Sequence, residues 1–272
     1  MNYPTAQGFS VIELTAALVI SSLLLGGTYR LVVQTAALRD DSERINETIL
    51  EIRFALDRMA RTAQASDRIL LPLDPAIRSV FAVTLPASVD RDGNGIADAD
   101  NDGDGRVDED PGSDVTNDAK PGIILVDDDA DGLTDEGVAD DDDESGLPNE
   151  DGLDNTDSDG DGRVDEDYGS VVAVDDDTDG STDEDWFDPV VYELSGAIIT
   201  ERMPVPWDVD GNAVLNGKDY VTNTVLEGVT LFEARRQTIG VGRTLLHLKI
   251  SAKDDTNTIH TLETSVRIGA LP

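Results

Sequence analysis

The stretch GFSVIELTAALVISSLLLGG, residues 8–27, decides how the fold begins. Between Phe9 and Tyr29 the single charged residue is Glu13. A helix of about 20 apolar residues is long enough to cross a bilayer, so this segment predicts a membrane helix. A secretory signal has a basic start and a shorter apolar run, whereas residues 1–8 contain no lysine or arginine.

The helical pattern continues beyond the apolar segment. Apolar residues recur at steps of three and four, which indicates one face of an amphipathic helix. They are Ile45, Ile49, Ile52, Leu56, Met59 and Ala63. No proline occurs between Phe9 and Ser66, and the Leu71-Pro72 step favours an end before it. We therefore expect one long helix with an apolar half, residues 9–36, and an amphipathic half, residues 37–68.

The middle of the chain is strongly acidic. Residues 90–188 hold 39 acidic and four basic side chains, so they carry −35 of the formal net charge of −38. This charge argues against nucleic acid as a partner, because phosphates require a basic surface. Cations are the natural partners. The chain has no cysteine, which excludes disulfides and thiolate metal sites.

The acidic block contains six copies of the pattern DxDx[DNS]Gxx[DN], starting at residues 90, 100, 127, 141, 157 and 175. Positions 1, 3, 5 and 9 supply side-chain oxygens, position 7 supplies a carbonyl, and the glycine at position 6 lets the chain turn back. A loop of this kind surrounds a hard cation with six to eight oxygen ligands. Position 10 adds a glutamate in five copies. The predicted ligand residues are Asp90, Asp92, Asn94, Ile96 and Asp98; Asp100, Asp102, Asp104, Arg106, Asp108 and Glu109; Asp127, Asp129, Asp131, Leu133, Asp135 and Glu136; Asp141, Asp143, Ser145, Leu147, Asn149 and Glu150; Asp157, Asp159, Asp161, Arg163, Asp165 and Glu166; and Asp175, Asp177, Asp179, Ser181, Asp183 and Glu184.

Calcium is the cation that this pattern favours, since magnesium requires a stiff octahedron and retains its waters. EF-hands are a poor interpretation, because position 12 is not acidic in any of the six copies and no helical pattern flanks them. The alternative is an acidic linker that stays solvated in any buffer. A linker, however, has no reason to keep its glycines in phase with its acidic residues.

The last third of the chain alternates with a period of two, which predicts strands. VVYELSGAIITERM indicates two strands around Ser195-Gly196, and TLLHLKIS and LETSVRI indicate two more joined by KDDTN. DVDGN, residues 208–212, could hold a seventh ion, but it is interpreted as a turn because Ala213 stands where an ion-binding loop has glycine. SVFAVTLPA adds a strand before the acidic block. The predicted fold class is α+β: the long helix packs on an antiparallel sheet from residues 69–88 and 187–272, with residues 89–186 as a loop-rich calcium-binding insertion.

The segment GFSVIE, residues 8–13, resembles the prepilin signal of type IV pilins and of the pseudopilins of type II secretion systems. The resemblance implies a leader of residues 1–8, cleavage after Gly8 by a prepilin peptidase, and methylation of the new amine on Phe9. It also implies that the helix is held in the inner membrane before it packs into a filament. There Glu13 would neutralise the Phe9 amine of a neighbouring subunit. A carboxylate in a membrane segment is costly and is expected to have such a partner.

Two further resemblances refine the expectation. The acidic block is similar to thrombospondin type 3 repeats and related bacterial calcium-binding repeats, in which ions lie along a chain of loops. FALDRMARTAQ followed by a C-terminal sheet is similar to larger minor pilins and the J-type pseudopilin. The expected function is a subunit of an extracellular filament made with copies of itself or other pilins. The alternatives are a minor pseudopilin of a periplasmic pseudopilus and a calcium-dependent surface adhesin.

An enzyme is not expected. His247 and His260 fall on predicted strands with no acidic or nucleophilic partner nearby in sequence, and a catalytic site needs convergent groups. Trp186 and Trp207 are interpreted as anchors at the edges of the insertion.

Overall fold

The computed structural model describes residues 10–73, 75–108, 116–117, 120, 122–128, 132–135, 185–240 and 243–268. The elements are α1 (Val11–Ala65), β1 (Ile69–Leu71), β2 (Val80–Thr84), β3 (Pro189–Ser195), β4 (Ile198–Pro204), β5 (Tyr220–Leu226), β6 (Val229–Gly240), β7 (Arg243–Lys253) and β8 (Ile259–Ile268). The pairings between these strands are antiparallel. The α+β class is confirmed as an N-terminal apolar helix with antiparallel sheets.

The chain divides into two compact units, Met1–Glu47 and Thr48–Pro272. In the first unit, α1 begins with a reciprocal pair of hydrogen bonds. The Ser10 N–H donates to Glu13 Oε2 at 2.9 Å, and the Glu13 N–H donates to Ser10 Oγ at 3.3 Å. This capping box satisfies amide donors that the first turn of a helix leaves free.

The apolar segment of α1 spans Val11–Ala36. Its mean hydropathy is 1.8, and its residues are exposed. It is long and apolar enough to cross a membrane, and it can act as a membrane anchor or as a signal sequence. Several of its hydroxyl groups bond within the helix. Those of Thr15, Ser22 and Thr35 donate to carbonyls three or four residues earlier at 2.7–3.0 Å, which lowers their cost in an apolar environment.

The strands of the second unit form two sheets, where the sequence predicted one. The first has the order β1-β2-β3-β4-β5 and the second the order β6-β7-β8. The chain changes sheets at Gly228, which has a φ of +69°. A Cβ there would meet the Lys253 carbonyl at 3.4 Å. After this turn the Val229 N–H bonds to the Ala197 carbonyl, and β6 pairs with β7 instead of β5.

One core joins both sheets to residues 48–65 of α1. Ile52, Leu56, Met59 and Ala63 of the predicted helix face are buried, whereas Ile45 is exposed. The buried helix residues belong to a cluster with residues of the first sheet, such as Phe81 and Tyr192, and of the second sheet, such as Phe232 and Leu248. Phe81 and Tyr192 also stack, with ring centroids 4.8 Å apart.

The acidic block lies between two neighbouring strands. β2 and β3 pair directly, from Val80 opposite Glu193 to Thr84 opposite Pro189. More than a hundred residues therefore connect adjacent antiparallel strands, and both ends of this connection lie at the same end of the first sheet. This register brings residues 89–108 and 185–188 together.

Candidate metal centre

The first copy of the acidic pattern, residues 90–98, folds into a loop whose carboxylates face its own backbone amides. The Asp90 carboxylate accepts the N–H groups of Gly93 and Gly95 at 2.7 and 3.0 Å. Asp92 Oδ1 accepts the Asn94 N–H at 2.9 Å. Bonds of this type turn the chain tightly and bring acidic side chains to the same side.

The second copy, residues 100–108, repeats this arrangement. The Asp100 carboxylate accepts the N–H groups of Gly103 and Gly105 at 2.7 and 3.0 Å, and Asp102 Oδ1 accepts the Asp104 N–H at 2.9 Å. Gly95 and Gly105, both at position 6, have φ angles of +90° and +98°. Residues other than glycine rarely adopt that backbone conformation, which explains the glycine at this position.

The two loops each gather three carboxylates. In both groups, Asp90/Asp92/Asp98 and Asp100/Asp102/Asp104, one oxygen from each residue lies within 4.8 Å of the others. Oxygens bound to one calcium ion at about 2.3–2.6 Å are at most about 5 Å apart, so the spacing fits a shared ion.

Asp98 is the buried carboxylate of the first loop. Its side chain is 2% exposed, and Oδ1 accepts the Arg91 N–H at 2.9 Å. Oδ2 is buried and accepts no hydrogen bond; the Arg91 Nε lies 3.7 Å away, beyond hydrogen-bond distance. The guanidinium charge of Arg91 offsets part of the cost of burying this oxygen, and a bound cation would offset more of it.

A third loop, residues 208–219, has the same geometry, where the sequence interpretation ranked a turn above a seventh ion-binding loop. The Asp208 carboxylate accepts the N–H groups of Gly211 and Ala213 at 2.5 and 2.8 Å, and Asp210 Oδ1 accepts the Asn212 N–H at 3.0 Å. Asp208, Asp210 and the buried Asp219 form the third carboxylate group.

The sequence interpretation ranked the turn first because position 6 is Ala213 instead of glycine. Ala213 takes the glycine conformation there, with a φ of +65°. The signal that was missed is the acidic residue at position 12, Asp219, which the six copies of the insertion lack. Its Oδ1 accepts the Val209 N–H at 2.6 Å and closes the loop.

The remaining predicted ligands either lie outside the carboxylate groups or are described only in part. Asp108, at position 9 of the second copy, is not in the group around Asp100. Burial raises its pKa well above the ordinary value, helped by the charges of Asp188 and Asp185. In the third copy, Asp127 Oδ2 accepts the Gly132 N–H at 3.0 Å and Asp135 Oδ1 accepts the Leu125 N–H at 2.6 Å. Gly8, Phe9, Glu109, Asp129, Asp131, Glu136 and every predicted ligand from Asp141 to Glu184 lie outside the described residues.

Asn101 joins the outgoing and returning ends of the insertion. Its N–H donates to Asp185 Oδ1 at 2.9 Å, and its Nδ2 donates to the Trp186 carbonyl at 3.1 Å and to Asp188 Oδ2 at 3.0 Å. Burial raises the pKa of Asp188 to about 7, although the Asn101 bond acts in the opposite direction. Asn101 occupies position 12 of the first copy. In this copy, position 12 therefore connects the two ends of the insertion instead of serving as a metal ligand.

Both histidines have partners that sequence reasoning did not find. His260 Nε2 lies 3.0 Å from Asp254 Oδ2, and its side chain is 14% exposed. Asp254 also accepts from Thr256 and Thr258, which lowers its pKa and closes the β7–β8 hairpin. His247 lies across the strands from Ser265, with Nδ1 and Oγ 2.8 Å apart.

In comparisons with known proteins, no family model, no curated protein and no solved structure matches this chain.

Proposed function

We propose that this chain is a subunit of an extracellular type IV pilin-like filament, and that several calcium ions stabilise its globular part. The observation that carries the calcium proposal is the repeated gathering of three carboxylates in loops 90–98, 100–108 and 208–219. Like charges at this spacing repel one another, and a divalent cation removes that cost.

The side chains and carbonyls of these loops would hold the ions. Asp90, Asp92, Asn94, Asp98 and the Ile96 carbonyl would serve the first loop. The second loop would use the carboxylates of Asp100, Asp102 and Asp104, and the third those of Asp208, Asp210 and Asp219. Calcium suits such sets because it accepts six to eight oxygens in flexible geometry, whereas magnesium does not. When bound, the ion supplies positive charge that couples folding of the loop to metal binding. The same chemistry extends to the remaining copies of the pattern.

The filament proposal rests on the N-terminal segment. An apolar helix of 26 residues, Val11–Ala36, carries Glu13 in its first turn and leaves its apolar side chains exposed. In a membrane and then in a filament core these side chains would be covered. Glu13 would neutralise the Phe9 amine of the next subunit, as the resemblance of residues 8–13 to prepilin signals implies.

The first experiment is mass spectrometry of the N-terminal peptide in filaments sheared from cells, with the abundance of the protein measured in the same fraction. A dominant band whose first residue is methylated Phe9 is the expected result for a major subunit. The same peptide at trace level indicates a minor pilin or a pseudopilin. An intact Met1 confined to membranes would contradict the filament proposal.

The calcium proposal has its own measurement. We expect the purified full chain in detergent to bind calcium in isothermal titration and to resist protease in millimolar calcium more than in chelator. Equal proteolysis in both conditions, with no heat of binding, would contradict it. The two experiments are independent, so the anchor and the metal sites are judged separately.

A further inference from the structure

A cavity of about 260 Å³ lies among the three acidic loops. Its walls come from residues 92–98 and 100–103 of the first two loops, from Trp186 and Asp188 of the returning chain, from Val205 and Pro206 after β4, and from Leu215 and Asn216 of the third loop. Segments far apart in sequence therefore converge on one space. Pockets for drug-sized ligands are about 300–1,000 Å³, so this cavity suits a smaller molecule.

The walls of the cavity have two chemical characters. Trp186, Pro206 and Leu215 supply apolar surface, while the exposed Asp92 and Asp102 and the half-buried Asn216 supply oxygens and an amide. Ile96 and Leu215 remain 40% and 43% exposed, so apolar side chains are accessible at the cavity instead of closing it. Few small molecules match both characters. A pyranose does, because its C–H face stacks on an aromatic ring and its hydroxyls donate and accept hydrogen bonds.

The charge of the walls narrows the ligand further. Five aspartates line the cavity: Asp92, Asp98, Asp100, Asp102 and Asp188. They exclude anionic ligands such as phosphates and acidic sugars. The first four belong to the proposed calcium loops, so bound calcium would weaken the preference for a cation. The six carboxylates gathered in the two loops still outnumber the four positive charges of two calcium ions, so anions stay disfavoured. A neutral hydroxylated ligand remains.

We propose that this cavity binds a neutral saccharide, which stacks on Trp186 and hydrogen-bonds to the carboxylates and amides of the surrounding loops. The inference rests on the proposed calcium binding, because calcium would fix the loops that form the walls. It adds a recognition site to a subunit whose proposed role is structural.

The test uses the full chain in a detergent without a sugar headgroup. The chain has two tryptophans, so Trp207→Phe leaves Trp186 as the single indole reporter. This variant is titrated with the methyl glycosides of mannose, galactose and glucose, in millimolar calcium and in chelator. We expect a saturable change in Trp186 emission with at least one glycoside in calcium, and none in chelator.

Calcium binding is measured by isothermal titration on the same samples, which separates the two proposals. Calcium binding without a response to any of the three glycosides overturns the saccharide site and leaves the calcium proposal intact. Loss of calcium binding itself overturns both. A response to tetramethylammonium in chelator, without a response to sugars in calcium, would identify a cation pocket and also overturn the inference.

Variants test the role of the ring by saturation-transfer NMR of the glycoside that responds. Trp186→Ala is expected to weaken binding about tenfold, as loss of an aromatic stacking contact predicts. Trp186→Phe, which keeps a ring, should weaken it less and serves if the alanine variant does not fold. Val209→Ala is the control, since Val209 lies in the third loop, is exposed and does not line the cavity. Equal binding by all three variants would overturn the assignment of Trp186.

Discussion

Arg58 on α1 forms a bidentate ion pair with Glu201 on β4, where the helix meets the first sheet. The two residues are 143 positions apart in sequence. Arg58 Nε donates to Glu201 Oε1 at 2.8 Å, and a second guanidinium nitrogen donates to Oε2. Glu201 is fully buried, and it also accepts the Tyr192 hydroxyl at 2.5 Å. The hydrogen bond to Glu201 is the main cause that raises the pKa of Arg58. This pair adds a directional contact between the helix and β4 to the apolar packing of the core.

Replacing Arg58 with alanine should destabilise the second unit, because Glu201 would keep a buried charge without its cation. Breaking a fully buried pair costs about 3–5 kcal/mol. Arg58 is 44% exposed, so we expect a smaller loss of about 2–3 kcal/mol in the free energy of unfolding. Denaturant unfolding at fixed calcium measures it. Arg61→Ala, one turn later and exposed, is the control and should change stability by less than about 0.5 kcal/mol. Equal effects of the two variants would contradict the role of the pair.

The third acidic loop can be tested by removing the side chain at Ala213, where the backbone has a positive φ. Ala213 has a φ of +65° at the position where the other loops have glycine, and a side chain there costs about 1 kcal/mol. Ala213→Gly should therefore tighten calcium binding by this loop or raise stability in calcium by about 0.5–1 kcal/mol. Isothermal titration and thermal unfolding measure both quantities.

A matched exchange at an ordinary backbone position controls for the added flexibility of glycine. Ala87 lies in an exposed turn and is not among the positive-φ residues, so Ala87→Gly should lower stability slightly through the unfolded chain. If Ala213→Gly lowers stability as Ala87→Gly does, the third loop is not a strained ion-binding loop.

The pH dependence of stability without calcium should reflect Asp188. Burial raises its pKa to about 7 from an ordinary value of 3.8. The folded state therefore holds a proton that the unfolded state has released between about pH 4 and pH 7, and the free energy of unfolding falls as the pH rises through this window. The slope from one such group is at most about 1.4 kcal/mol per pH unit.

Asp188→Asn should remove this contribution, since an amide keeps a hydrogen-bonding group and has no charge to bury. We expect the variant in chelator to be more stable than the parent at pH 8 and nearly equal to it at pH 4. Chemical unfolding at the two pH values measures the difference. The same difference at both pH values would show that Asp188 does not titrate in this window.

The sequence predicted those features that repeat or alternate. The period of three and four residues located the buried face of α1 from Ile52 to Ala63, and the period of two located β3, β4, β7 and β8. β5 was missed because its residues are mostly exposed on both faces, so YVTNTVL lacks the alternation of a half-buried strand. The division into two sheets was missed because it depends on the turn at Gly228, whose effect appears only when Lys253 packs against it.

The repeated metal-ligand pattern likewise predicted local structure and not tertiary contacts. Regular spacing identified the loops at Asp90 and Asp100, whose carboxylates the fold brings together. It did not identify the tertiary contacts of Asn101, whose partners Asp185 and Asp188 are more than 80 residues away. Nor did it show that Asp108 lies outside the carboxylate group of its own loop. Contacts of that kind arise from the pairing of β2 with β3, which no local pattern contains.

The role of Glu13 can be separated into capping and charge. In the structure Glu13 and Ser10 cap α1 by reciprocal hydrogen bonds, and the filament proposal adds a charge pair with the neighbouring Phe9 amine. Glu13→Gln keeps the capping bond, since glutamine serves at this position of a capping box, but it removes the charge. Ser10→Ala removes the cap at a cost of about 1 kcal/mol and keeps the charge.

We expect both variants to insert into the inner membrane, because Ser10 precedes the apolar segment and Glu13→Gln only removes a charge from it. Filaments should form from Ser10→Ala and be lost in Glu13→Gln, since only the latter cannot pair with an amine. Quantitative immunoblots of sheared filaments and membranes measure the partition. If Glu13→Gln assembles as well as the parent while Ser10→Ala does not, the carboxylate serves the helix start and the charge pair with the neighbouring subunit is refuted.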